Sequence, residues 1–201
     1  DYVRRNRQAG YWTDETFGQL LRGYASKRPH EVALISADEQ LTWAELLAEM
    51  ERIAGGLTRL GITEGQTVSV QLSNSTELVV LILAIWEIGA IYQPLNPLYR
   101  YAELSTIVGA LRPHAIVCRN DVSGFNYIGL IEEVTNDLNF EPRKICINYS
   151  QPGWISTATF SRDDFSPIEP DPFRTALLGT TSGTTGNPKI YIHIQATQIF
   201  E

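Results

Sequence analysis

Residues 42–148 alternate between helical and short strand patterns, and this alternation constrains the fold more than any other feature. The helical pattern at 42–60 is the clearest. Thr42 stands as an N-cap with Glu45 three residues on, the spacing of a capping box. Trp43, Leu46, Leu47, Met50, Ile53, Ala54, Leu57 and Leu60 follow the helical period, and Gly61 suits the left-handed residue after a helix. Residues 67–72 alternate as a strand with Val68, Val70 and Leu72 inward. Asn74 or Ser75 then caps a helix that runs to about residue 88. It is apolar nearly all round and so expected to be buried, and Gly89 ends it. Strands at 91–95, 114–118 and 144–148 alternate with helices at 103–111 and 127–138. A helix at 13–27 and a strand at 32–36 precede them. This pattern predicts an α/β protein with a parallel-rich sheet covered by helices. Residues 149–172, rich in Pro, Ser, Thr and acid, read as a surface connection.

A strand at 174–179 leads into Thr181-Ser182-Gly183-Thr184-Thr185-Gly186-Asn187-Pro188-Lys189. Gly183 and Gly186 allow close approach of backbone to a ligand and φ > 0. Successive N–H groups of such a loop form an anion-binding concavity. The hydroxyls add donors, and Lys189 adds a point charge suited to phosphate. At roughly 6% usage per residue type, eight fixed positions recur by chance at on the order of 10⁻¹⁰ per window. The segment is not a Walker A loop, because Asn187 and Pro188 separate Gly186 from Lys189 and Ile190 follows. Ile190, Ile192 and Ile194 alternate, so the loop returns into another strand. Strand–loop–strand differs from the strand–loop–helix of P-loop enzymes.

The segment at 181–189 resembles the phosphate-binding signature of the adenylate-forming enzymes: acyl- and aryl-CoA synthetases, peptide-synthetase adenylation domains and luciferases. Leu41-Thr42-Trp43-Ala44-Glu45-Leu46 resembles the first core motif of that family. Gly89-Ala90-Ile91-Tyr92-Gln93-Pro94-Leu95-Asn96-Pro97 resembles the second. The likeness runs from about residue 11 to 189, and on it the chain is identified as a member of the family. Within the family, Gly10-Tyr11-Trp12-Thr13-Asp14 is similar to aryl- and alicyclic-acid CoA ligases. Residues 96–100 with Glu103-Leu104, and residues 124–127, look like the cyclohexanecarboxylate and medium-chain acyl-CoA ligase branch. For Tyr11, Trp12 and Phe125 the plainer reading, core or interface packing, is favoured. Ile190 departs from the glycine often found after the motif lysine, although aryl-acid ligases carry apolar residues there.

The resemblance implies that a carboxylate attacks the α-phosphate of ATP, giving acyl-adenylate and pyrophosphate, and that a thiol, commonly coenzyme A, then takes the acyl group. It assigns Thr181, Ser182, Gly183, Thr184, Thr185, Gly186 and Lys189 to the ATP phosphates, with Mg²⁺ assisting. It further implies that residues 1–201 are part of the N-terminal AMP-binding domain, ending just after the loop at 181–189. The adenylation lysine, the Mg²⁺-binding Glu and the C-terminal domain then lie beyond residue 201, and these residues alone are expected to be inactive. Two alternatives stay open. One is a non-catalytic nucleotide-binding module or subunit, whose open sheet edge would invite a partner or self-association. The other is a peptide-synthetase adenylation domain that serves a carrier protein, although Asn96-Pro97 favours the CoA ligases. The identity of the acid is not legible.

A formal net charge of −7 argues against nucleic acid or an anionic membrane as the main partner. The most apolar run, 78–86, is far shorter than the roughly 20 residues of a membrane span. No secretory leader is visible, so a cytoplasmic protein with Cys118 and Cys146 as buried free thiols is expected. His30, His114 and His193 lack metal-ligand spacing and are expected to be structural or on the surface.

Overall fold

The structure, a computed structural model, describes residues 2–37, 39–122, 124–168, 170–181 and 189–200. The elements in order are α1 (Tyr2–Gln8), α2 (Phe17–Lys27), β1 (Val32–Ile35), β2 (Gln40–Thr42), α3 (Trp43–Arg59), β3 (Thr67–Gln71), α4 (Thr76–Glu87) and β4 (Ile91–Pro94). There follow α5 (Tyr101–Leu111), β5 (Ala115–Cys118), β6 (Asp121–Val122), β7 (Phe125–Asn126), α6 (Tyr127–Asp137), β8 (Arg143–Cys146) and β9 (Ile155–Ser156). The last are β10 (Thr175–Thr181), β11 (Lys189–Ile194) and α7 (Gln195–Phe200).

A seven-stranded sheet has the order β11-β10-β4-β3-β5-β8-β9. All neighbours pair in parallel except β10 and β11. The predicted α/β class, a parallel-rich sheet covered by helices, is therefore what forms. From β3 the chain moves to β4 on one side, then crosses back to β5 and β8 on the other. The switch point lies between β3 and β5, and in open α/β sheets ligands bind outside the carboxyl ends of strands near such points.

Caps set the helices. The Thr42 hydroxyl accepts from Glu45 N, and the Glu45 carboxylate accepts from Thr42 N at 2.8 Å, the capping box expected from the sequence. Ser75 caps α4 and Asn126 caps α6. Gly61 and Gly89 follow α3 and α4 with φ of 80° and 69°, a region L side chains avoid. One layer packs α3 and α4 on Val68, Val70, Val117 and Ile145. The other packs α5 and α6 on Ile116, Cys118 and Cys146.

Several expectations need correction. The helix expected at 13–27 starts at Phe17, because Thr16 and Gln19 form a second capping box. The strand at 32–36 gains an antiparallel partner, β2, that runs into the cap of α3. Helix α4 buries Val80, Leu81, Ala84 and Ile85, but Leu78, Val79, Ile82 and Leu83 are only half-buried. The surface connection at 149–172 contributes an edge strand, β9, and two 3-10 turns, and it buries Trp154 and Phe160. Phe160 fits there because Gly56 of α3 has no side chain: a Cβ on Gly56 would lie 2.0 Å from the Phe160 ring. Among the described residues no helix is long and apolar enough to cross a membrane.

Candidate functional site

The carboxyl ends of β3, β4, β5, β8 and β10 share one edge of the sheet, since these strands are parallel. At that edge β10 and β11 form an antiparallel hairpin whose last register pair is Thr181 with Lys189. Both residues are exposed. The sequence places Ser182, Gly183, Thr184, Thr185 and Gly186 in the loop they bracket, and those five lie outside the described residues. The predicted strand–loop–strand arrangement therefore holds on both sides of the loop.

The stem of the hairpin is tightly held. Gly179 pairs with Tyr191, and a Cβ on Gly179 would come within 2.0 Å of the Tyr191 ring, so glycine is what lets that ring lie across the strand. Below it the Trp86 indole N–H donates to Ala176 O at 2.7 Å, and Trp86 stacks on Phe17 with centroids 5.0 Å apart. Gln195, 3% exposed, donates to Trp86 O at 3.3 Å and accepts from Phe17 N at 3.2 Å. One side chain thus joins the start of α2, the end of α4 and the start of α7. Sequence reasoning missed Trp86 and Gln195 as supports of the loop. No local pattern announces them, because their partners lie about a hundred residues away in the chain.

The neighbouring turn after β4 is anchored from both sides. Gln71 donates to Asn96 O and Tyr99 O, each at 3.2 Å, and the Tyr127 hydroxyl donates to Pro97 O at 3.2 Å. The Arg100 guanidinium lies 3.8 Å from the centre of the Phe125 ring, a cation–π contact. Leu98 stands 77% exposed on this turn. At the ends of β3 and β5, Glu77 pairs with Arg119. Burial pushes the Glu77 carboxyl up, but its own backbone N–H and the Arg119 guanidinium outweigh that, so it sits below its usual range. Trp12 is buried among Tyr2 and Phe173, which bears out packing as its role. His114 accepts from Thr67 N at 3.3 Å through Nδ1, a structural contact. Among the described residues no group of three or more His, Cys, Asp or Glu side chains could hold a metal ion.

The family model described as AMP-binding enzyme matches residues 21–198. The chain belongs to the AMP-binding enzyme family. It is 32% identical over 198 residues to the salicyl-AMP ligase / salicyl-S-ArCP synthetase of Mycobacterium tuberculosis, covering 94% of this chain and 35% of that protein. It is 30% identical over 184 residues to triostin synthetase I of Streptomyces triostinicus, covering 92% of this chain and 34% of that one. This AMP-binding chain thus spans about a third of the length of these curated relatives. The apo structure of MbtA from Mycobacterium smegmatis superposes with a TM-score of 0.84 at 30% identity, over 98% of this chain and 37% of that one. A Rhodopseudomonas palustris protein assigned as a long-chain-fatty-acid CoA ligase gives 0.82 at 26% identity, over 92% and 46%. The AMP-binding assignment accords with the resemblance of residues 181–189, and these relatives lend no support to a cyclohexanecarboxylate or medium-chain acyl-CoA branch.

Proposed function

We propose that the protein carrying this chain activates an aryl carboxylic acid with ATP, forming an aryl-adenylate and releasing pyrophosphate, and passes the acyl group to a thiol on a carrier protein. The observation that carries the first step is the β10–β11 hairpin, which ends in Thr181 and Lys189 side by side at the carboxyl edge of a parallel sheet. On this reading Ser182, Gly183, Thr184, Thr185 and Gly186 offer backbone N–H groups and hydroxyls to the β- and γ-phosphates. Thr181 adds a hydroxyl, and Lys189 a positive charge. Donors fixed on a rigid stem stabilise a leaving pyrophosphate without reorganising as charge develops. The nature of the acid and acceptor rests on likeness to the salicyl-AMP ligase / salicyl-S-ArCP synthetase and to a 2,3-dihydroxybenzoate-AMP ligase of Bacillus subtilis, 32% identical over 132 residues. On this reading the 201 residues form part of an N-terminal AMP-binding domain, and the adenylation lysine lies elsewhere in the protein.

Coenzyme A as acceptor is the second reading, favoured by the structural likeness to the protein assigned as a CoA ligase and by the Asn96-Pro97 turn. Acid-dependent exchange of pyrophosphate into ATP tests the first step on the product of the natural gene. Salicylate and 2,3-dihydroxybenzoate are expected to support exchange better than octanoate or cyclohexanecarboxylate. Lys189→Ala is expected to slow exchange about 10- to 100-fold, the loss of one charge-assisted contact of about 1.5–3 kcal/mol. Exchange with no acid, or with Lys189→Ala at full rate, contradicts the reading. Coenzyme A and a phosphopantetheinylated carrier protein, compared as acceptors, decide between the two thiols.

A further inference from the structure

A separate cavity of about 420 Å³ opens on the α3–α4 face, between α3, the first turn of α4 and the segment after β8. That volume lies within the range of small-molecule pockets. Leu41, Ile53, Val80, Leu81 and Ile147 give it an apolar floor. Its lining carries four carboxylates, Glu39, Glu45, Glu49 and Glu77, and one cation, Arg52. Glu49 is paired with Arg52 and Glu77 with Arg119, so the uncompensated charge is that of Glu39 and Glu45. That guanidinium is already engaged, with Nε and Nη2 on Glu49 and Nη1 donating to Thr157 O at 2.7 Å. Glu45 is held below the usual carboxylate range by its hydrogen bonds from the Thr42 backbone and hydroxyl, and is ionised at neutral pH. The lining's net charge is negative, so an anion entering this space is repelled and a cation attracted.

A second observation points to a ligand. Thr76 lines the same cavity, is 5% exposed, and its hydroxyl oxygen has no hydrogen-bond partner among the described residues. Buried polar atoms are nearly always satisfied, so such an orphan marks a place for a hydrogen-bonding partner, and its lone pairs can accept from an N–H. The position excludes the phosphate hairpin as the owner of the cavity. Two strand intervals separate β10 from β3, on which α4 begins, and the cavity extends from there towards β8. At about 4.8 Å per interval the two places are on the order of 10 Å or more apart.

We propose that this cavity binds a small organic cation: an ammonium or amidinium head carried on a single-ring or short aliphatic body. The body lies on the apolar floor. The head faces the carboxylates of Glu45 and Glu49, with an N–H available to Thr76 Oγ1. The inference does not depend on adenylation, because the site and its charge are distinct from those of the β10–β11 loop.

The test is isothermal titration of the natural gene product, without ATP, using 2-phenylethylammonium as the probe. Its neutral counterpart is 2-phenylethanol. Its anionic counterpart is phenylmethanesulfonate, a sulfonate so that it is not a substrate candidate for an acid-activating enzyme. The ammonium ion is expected to bind saturably, the alcohol at least about tenfold more weakly, and the sulfonate not at all. Ala48→Phe, at an exposed α3 position on the cavity wall, is expected to abolish binding by filling the space while the thermal transition stays in place. Glu49→Gln, also partly exposed, is expected to weaken binding about tenfold and serves if the larger variant fails to fold. Equal binding of the three probes, no binding of any, or unchanged binding by both variants overturns the proposal. Because no nucleotide is present, failure here is separable from failure of the pyrophosphate exchange.

Discussion

Gly56 occupies a position that no side chain can share. It sits inside α3, where glycine costs roughly 1 kcal/mol relative to alanine. Propensity alone therefore says that Gly56→Ala should stabilise the protein. Packing says the reverse, since the new methyl would fall 2.0 Å from the Phe160 ring, whose β-carbon lies 2.6 Å away on the same side. Gly23 of α2 is the control, because a Cβ there meets nothing within 4 Å. Gly23→Ala is expected to add about 0.4–1 kcal/mol, and Gly56→Ala to remove about 1–3 kcal/mol by overpacking. Urea titration of both variants decides. A stabilised Gly56→Ala would mean that the 149–172 segment does not press on α3. The helical period across 42–60 was legible in the sequence because it depends on neighbours three and four residues away. The role of Gly56 was not, because its partner lies a hundred residues on in a segment that reads as a polar connection.

Among the elements, α2 docks on α4 through an ion pair that the sequence conceals. Arg22 bonds Glu87, whose side chain is fully buried, and Gly18 of α2 leaves room for that carboxylate. Burial pushes the Glu87 carboxyl above its usual value of 4.5, the Arg22 guanidinium pulls it part of the way back, and Glu51 nearby raises it again. The sign of the pH effect follows. Between 4.5 and the raised value the folded state holds more protons at Glu87 than the unfolded state does. Its contribution is therefore fullest below 4.5 and declines as pH rises through the folded value. Glu87→Gln keeps an acceptor for Arg22 and removes the titration. Its stability relative to the parent should improve as pH rises from 4 to 7, read as the difference in urea midpoints. A pH-independent difference would place the Glu87 titration at its unfolded value. The strand–helix alternation was visible because hydrophobic period and caps, such as Thr42 and the Asn74-Ser75 pair, are local signals. The Arg22–Glu87 pair was not visible, because a single arginine in one helix and a single glutamate in another look like solvated charges.

At the scale of the whole molecule, the sheet orders everything else, and its interior carries a probe of its own cohesion. Cys118 at the end of β5 and Cys146 at the end of β8 are register partners, both free and both buried, as expected from their apolar surroundings in the sequence. What the sequence could not show is that they touch, since parallel register depends on a crossover through α6 rather than on local pattern. Burial pushes the Cys118 thiol well above its usual range, with the neighbouring Cys146 adding to the shift. Attack on a disulfide reagent needs a thiolate and access, and Cys118 has neither while α5 and α6 cover that face. In the native protein Cys118 should stay inert to an aromatic disulfide reagent, and in concentrated guanidinium both thiols should react. Labelling of Cys118 under native conditions should also accelerate with urea at the slope of global unfolding, since β5 lies in the interior of the sheet, between β3 and β8. Fast labelling of Cys118 without denaturant, or a slope well below the global one, would show that the α5–α6 layer lifts from the sheet by itself. In that case the turn after β4, which Tyr127 of α6 anchors, would lose that hold, and the carboxyl edge beside the β10–β11 hairpin would not be rigid.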